Sequence, residues 1–131
     1  MIDEKVKDEL INSLLKHSDH FLLEMNSFYP FGHTVNTNFE IQPVQAWLGN
    51  DFPDSQDLID FLEMSFKKQF EKHEIILSAI CIDIFLKTVK NGLETKQDAI
   101  EIRLCSVNNN EIIHYKYNKN GDNKIEFIKT E

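Results

Sequence analysis

The sequence predicts an α+β fold: an antiparallel sheet of five or six strands with two helices packed on one face, in the order α-β-β-α-β-β-β with a further strand at the end. Three observations predict it. Two stretches carry apolar residues at helical spacing, over 3–25 and over 55–72. Three strand-like segments follow, over 74–87, 98–107 and 111–117. Turn-prone Asn and Gly residues separate the strands.

In the first helix Val6, Leu10, Leu14, Phe21 and Met25 form a stripe that Ile11, Leu15 and Leu22 widen. Lys5, Asp8, Glu9, Lys16 and Asp19 occupy the other side. Asn26-Ser27 and Pro30 end it, because proline cannot continue a helix and disfavours one before it. Phe28-Tyr29-Pro30-Phe31-Gly32 reads as an aromatic turn. Thr34-Val35 and Phe39-Glu40-Ile41 read as short strands around Asn36-Thr37-Asn38, with Pro43 placing the second at an edge. Ser55 is the expected N-cap of the second helix, whose apolar face is Leu58, Ile59, Leu62, Phe66 and Phe70.

The long strands can be set in register from the text. Pairing Ile82 with Leu104, Ile84 with Ile102 and Leu86 with Ile100 collects one apolar face and leaves 90–96 as a loose loop. The opposite face then pairs Cys81 with Cys105, Asp83 with Arg103 and Phe85 with Glu101. A two-residue turn at Asn108-Asn109 sets Ile113, Tyr115 and Tyr117 against Leu104, Ile102 and Ile100, with His114 beside Arg103 and Lys116 beside Glu101. Asn120-Gly121 returns the chain as a last strand with Ile125 and Phe127 inward.

The expectation is one domain over 1–131, which at this length buries a sizeable core without staples. Ten Phe point to an aromatic contribution to that core. A net charge of −8 argues against nucleic acid and anionic membranes as partners. No signal peptide or spanning segment is apparent, which points to a soluble, cytoplasmic protein. Its two Cys read as free thiols.

The row Asp83, Arg103 and His114 is the strongest constellation. A carboxylate, a guanidinium and an imidazole in line can hold an anionic ligand or tune a base. Cross-strand charges on a solvated face explain the same row without function, and that reading is favoured. No Ser, Thr or Cys nucleophile stands beside His114. His17, His20 and Glu24 have helical spacing that can converge on a metal, but no second cluster supports one. No catalytic set, metal or cofactor is therefore expected. Tyr29, His33, Tyr115 and Tyr117 are the polar groups of an alternative pocket between helices and sheet. Trp47, near the edge Pro43, either anchors a partner or closes the core.

The turn Phe28-Tyr29-Pro30-Phe31-Gly32, the strand Asp98-Ala99-Ile100 and the late Tyr117 resemble a family of small uncharacterised bacterial proteins. The resemblance spans most of the chain and implies a fold but no established activity. Members carry Glu-His after the Asp-Ala-Ile strand, whereas this chain has Cys105-Ser106, so no catalytic residue carries over. By class, it is also similar to the small acidic immunity proteins of bacterial toxin systems. The favoured expectation is a non-enzymatic protein-interaction module, immunity-like or a small regulatory subunit. It would bind a protein partner, or itself, through the outward sheet face or an edge strand. The alternative is a small-molecule-binding or enzymatic domain.

Overall fold

A computed structural model describes residues 4–46, 48–49, 51–121 and 124–130. In chain order the elements are α1 (Glu4–Met25), β1 (Phe31–Asn36), β2 (Ile41–Val44), α2 (Ser55–Glu71), β3 (Ile75–Lys90), β4 (Leu93–Cys105), β5 (Asn110–Lys119) and β6 (Ile125–Lys129). The strands form one antiparallel sheet in the order β2-β1-β3-β4-β5-β6. Class and element order are those the sequence predicts.

Both helices end where their sequences direct. Asn26 takes a left-handed φ of 65° after α1, and its N–H donates to the Leu22 carbonyl at 3.0 Å. The N-cap of α2 is Asp54 rather than Ser55. The Asp54 backbone is extended and its carboxylate accepts from the Gln56 and Asp57 amides, two of the orphan donors of the first turn. The first hairpin also differs from expectation. β1 starts at Phe31, inside the expected aromatic turn, and Phe39 lies in the loop at φ 63° rather than in β2. Pro43 does sit in an edge strand, where its missing donor costs nothing.

The helices lie on opposite faces of the sheet, not together on one. Leu10, Leu14 and Leu22 of α1 pack with Val35, Leu77, Ala79, Cys81, Ile100 and Ile102. Ile59, Leu62 and Phe66 of α2 pack with Ile80 and Ile82 on the other side. Side chains alternate across a strand, so β3 is apolar on both faces and needs cover on both.

The β3–β4 register is offset by three residues from the expected one. Cys81 faces Ile102, Asp83 faces Ile100, and Ile80 faces Arg103. The cause is the turn. Asn91 and Gly92 take φ of 55° and 77°, so a tight two-residue loop joins Lys90 to Leu93, and the expected loose loop over 90–96 is strand instead. An odd offset exchanges the faces of one strand relative to the other. The β4–β5 register is offset by two, because the connection runs over 106–109 with the Ser106 amide donating to the Asn109 carbonyl at 2.8 Å. An even offset keeps Ile113, Tyr115 and Tyr117 on the expected face.

At Gly32 the Phe66 ring of α2 lies directly against the sheet. A Cβ there would stand 2.6 Å from the Phe66 ring and 3.0 Å from the Ala79 carbonyl. Gly32→Ala is therefore expected to destabilise the protein by about 1–3 kcal/mol through overpacking, read as a lower urea midpoint with unchanged slope.

The β3–β4 hairpin outruns its neighbours. β1 pairs with β3 as far as Cys81, and β5 pairs with β4 from Ala99. Beyond those points residues 82–90 and 93–98 pair only with each other among the described residues, as a two-stranded ribbon projecting from the sheet.

Candidate functional site

The row Asp83, Arg103 and His114 does not form. Asp83 belongs to the α1 side and the other two to the α2 side, as the registers require. Asp83 pairs with Tyr117, whereas Arg103 and His114 share Glu101. The Tyr117 hydroxyl donates to the Asp83 carboxylate at 2.8 Å, and the Phe28 backbone also bonds Asp83. Burial raises the Asp83 carboxyl above its ordinary range and outweighs the lowering by these two donors. Burial, then the Asp83 charge, raises the Tyr117 phenol as well. The pair fastens the base of the ribbon to β5.

Glu101 is the hub of the α2 side. It accepts from Arg103 Nε at 2.8 Å and pairs with His114 Nε2 at 2.9 Å, while Arg103 Nη1 reaches Glu63 on α2 at 3.2 Å. Burial pushes the Glu101 carboxyl up, but the His114 and Arg103 contacts outweigh it and hold the group below the usual carboxylate range. The bond to Glu101 raises Arg103 in turn. The Arg103 contacts are part-exposed ion pairs, and with the His114 hydrogen bond they tie α2 to β4 and β5. Arg103→Ala is expected to cost about 1 kcal/mol or less in urea denaturation.

His33 lies on the α1 side of β1, fully buried. Its Nδ1 shares a hydrogen bond with Ser13 Oγ at 2.9 Å, and its Nε2 shares one with His17 Nδ1 at 2.7 Å. Ser13 and His17 are one helical turn apart on α1, so both reach the same ring. Burial, and then His17, lowers His33 to about 4. The imidazole is thus neutral at physiological pH, donating through one nitrogen and accepting through the other. Ser18 Oγ donates to the Leu14 carbonyl at 2.8 Å and meets Cys81 Sγ at 3.3 Å. Burial pushes the Cys81 thiol up to about 12, which makes it an inert core group.

The remaining candidates do not converge. Tyr29 is exposed, Tyr115 is half-buried on the α1 side, and Trp47 lies outside the described residues. Cys81 and Cys105 are not cross-strand neighbours; Cys105 stands opposite Ser78, and both thiols are free. No metal-holding group of His, Cys, Asp or Glu occurs among the described residues, and His17 of the His17–His20–Glu24 trio is engaged by His33. A groove of about 790 Å³ opens at the end of the sheet opposite the ribbon, lined by residues that include Lys7, Phe70, His73, Leu77, Leu104 and Val107. Tyr29, His33, Tyr115 and Tyr117 are not in its lining.

Sequence reasoning missed three features. Glu101 as a hub follows only from the correct register. The Ser13–His33–His17 chain had a signal in the i, i+4 spacing of Ser13 and His17 beside a strand histidine. The ribbon had one in Asn91-Gly92, a two-residue hairpin turn. No helix among the described residues is long and apolar enough to cross a membrane. No protein-family model, curated protein or solved structure matches the chain.

Proposed function

We propose that this chain is a non-enzymatic protein-interaction module whose docking element is the projecting β3–β4 ribbon. One observation carries this reading. The ribbon has no neighbouring strand on either side among the described residues, and it exposes Phe85, Val89 and Leu93 at 64%, 74% and 70%. A lone two-stranded ribbon is marginal in water. Free strand edges bearing apolar side chains are templates for a partner.

The titratable clusters support the same reading. Asp83, His33 and Glu101 each spend their hydrogen-bonding capacity on side chains of the chain itself. Such groups fasten elements together. An immunity-like or small regulatory role in the cytoplasm falls within this proposal.

A photo-crosslinking residue in place of Leu93, in the native host, tests it. The expected result is a discrete adduct that the same residue at Glu24, exposed on α1, does not give. No adduct above the Glu24 control would overturn the reading.

The groove supports a second reading, a small-molecule site. Its volume of about 790 Å³ lies in the ordinary range for such sites. Native mass spectrometry of protein purified from the host should then show a bound mass, reduced in Phe70→Asp. The bare chain mass from every preparation would count against it.

A further inference from the structure

The two faces of the ribbon differ in composition. By strand alternation from Ile80 and Ile82, the α2-side face carries Ile84, Leu86, Thr88 and Lys90 on β3, opposite Gln97, Thr95 and Leu93. That face has a single charge, the Lys90 cation, and no carboxylate. Thr88 and Thr95 are joined across it at 2.6 Å. α2 covers the face at Ile80 and Ile82 and reaches Ile84 at its margin. Outward from there the same surface continues, with Leu93 the most exposed.

The start of α2 has the opposite character. Asp51, Asp54, Asp57, Asp60 and Glu63 recur at every third position, all exposed, and no basic residue interrupts 51–63. Phe61 and Met64 lie exposed among them, at 38% and 52%. The ribbon is locally basic in an acidic protein. Over 84–97 it has three Lys and one Glu, on a chain of net charge −8; Lys90 lies on the α2-side face, and Lys87, Glu94 and Lys96 lie on the other. On that other face Lys87 stands directly opposite Lys96, a like-charge pair relieved by Glu94, 3.7 Å from Lys87, and by the Phe85 ring, 5.7 Å from Lys96.

Position completes the match. α2 runs back toward the start of β3, so its first turns sit at the end of the sheet from which the ribbon projects, with Ile59 packed in the cluster of Ile82 and Ile84. We infer that the chain forms a two-fold dimer in which the α2-side face of each ribbon docks on the α2 start of a second copy. The inference rests on the interaction-module reading and names its partner. Because the ribbon and the α2 start share one end of the molecule, a single two-fold axis beyond that end makes both contacts at once, and the assembly closes. Leu86 and Leu93 then meet Phe61 and Met64, and Lys90 meets the acidic stripe.

A charge exchange tests it in purified protein. Sedimentation equilibrium from micromolar to millimolar concentration should give twice the 15.4 kDa of one chain. Lys90→Glu alone, and the pair Asp51→Lys with Asp60→Lys alone, should each weaken the dimer by about tenfold or more while circular dichroism stays unchanged. Neither variant touches the Asp54 cap or the Arg103–Glu63 pair. An equimolar mixture of the two should restore the dimer, since both contacts in the mixed pair are again between opposite charges. Leu93→Glu should abolish it, and the new carboxylate, facing Lys90 across the turn, keeps the ribbon itself paired. A mass of one chain at every concentration, or a dimer indifferent to these changes, would overturn the inference. A monomer that still crosslinks at Leu93 to a heavier protein in cells would overturn the second copy and leave the interaction module standing.

Discussion

Phe66→Ala is expected to lower stability by about 3–5 kcal/mol, the largest loss among the single changes considered. The ring is 3% exposed and joins α2 to β1 and β3 through the space above Gly32. Removing it leaves a void next to a residue without a side chain, so little can collapse to fill it. The same geometry makes the two positions interdependent. Gly32→Ala overpacks chiefly against the Phe66 ring, at 2.6 Å, and less against the Ala79 carbonyl, at 3.0 Å. In the Phe66→Ala background the added methyl should cost nearly nothing or restore part of the loss, a coupling of about 1–2 kcal/mol in a double-mutant cycle. Urea unfolding of the four proteins measures it. Simple additivity would mean that α2 does not rest on Gly32, and with it the assignment of the two helices to opposite faces would fail.

Opposite-face packing is also where the sequence was hardest to read. The stripes of α1 and α2 follow from helical spacing alone, and both helices lie where those stripes predict. The run from Ile75 to Ile84 is different. Apart from Ser78, its odd and even positions are both apolar up to Asp83, so alternation does not choose a core face. Matching isoleucines with leucines across β3 and β4 then selects a plausible but displaced register. The Asn91-Gly92 turn would have selected the observed one, because a two-residue loop leaves no freedom in the pairing that follows it. The displaced register alone generates the Asp83–Arg103 row. By contrast, Tyr115 and Tyr117 lie on the side of Ile100 and Ile102 that the sequence predicts, since an offset of two preserves side-chain direction. The partnership of His33 is legible only in part, as the i, i+4 spacing of Ser13 and His17, for another reason. It depends on which helix crosses β1, a tertiary fact that spacing within one segment does not contain.

That partnership makes the stability of the protein sensitive to acid. His33 has its pKa lowered to about 4 in the folded chain, against 6.5 when unfolded. Above 6.5 neither state binds the proton, and the group contributes no pH dependence. Between 6.5 and about 4 the unfolded chain takes up the proton and the folded one does not, so stability falls as pH falls. Below about 4 the folded state is protonated too, and the dependence levels off. The full loss is about 3 kcal/mol or slightly more. Burial is the main cause, and His17 on α1 adds repulsion at a shared hydrogen bond of 2.7 Å. Two carboxylates titrate with opposite sign to each other. Glu101, held low, stabilises above its unfolded pKa and loses that contribution as pH falls through its folded one. Asp83, raised by burial, favours the folded state increasingly as pH falls. Neither is touched by a change at position 33, which makes the comparison clean. In His33→Gln an amide can still donate to one side and accept from the other, but it does not titrate. Urea midpoints across the acid range should fall steeply for the natural protein and more shallowly for His33→Gln, with the difference developing between 6.5 and about 4. Parallel curves for the two proteins would show that this imidazole is not held neutral by the fold.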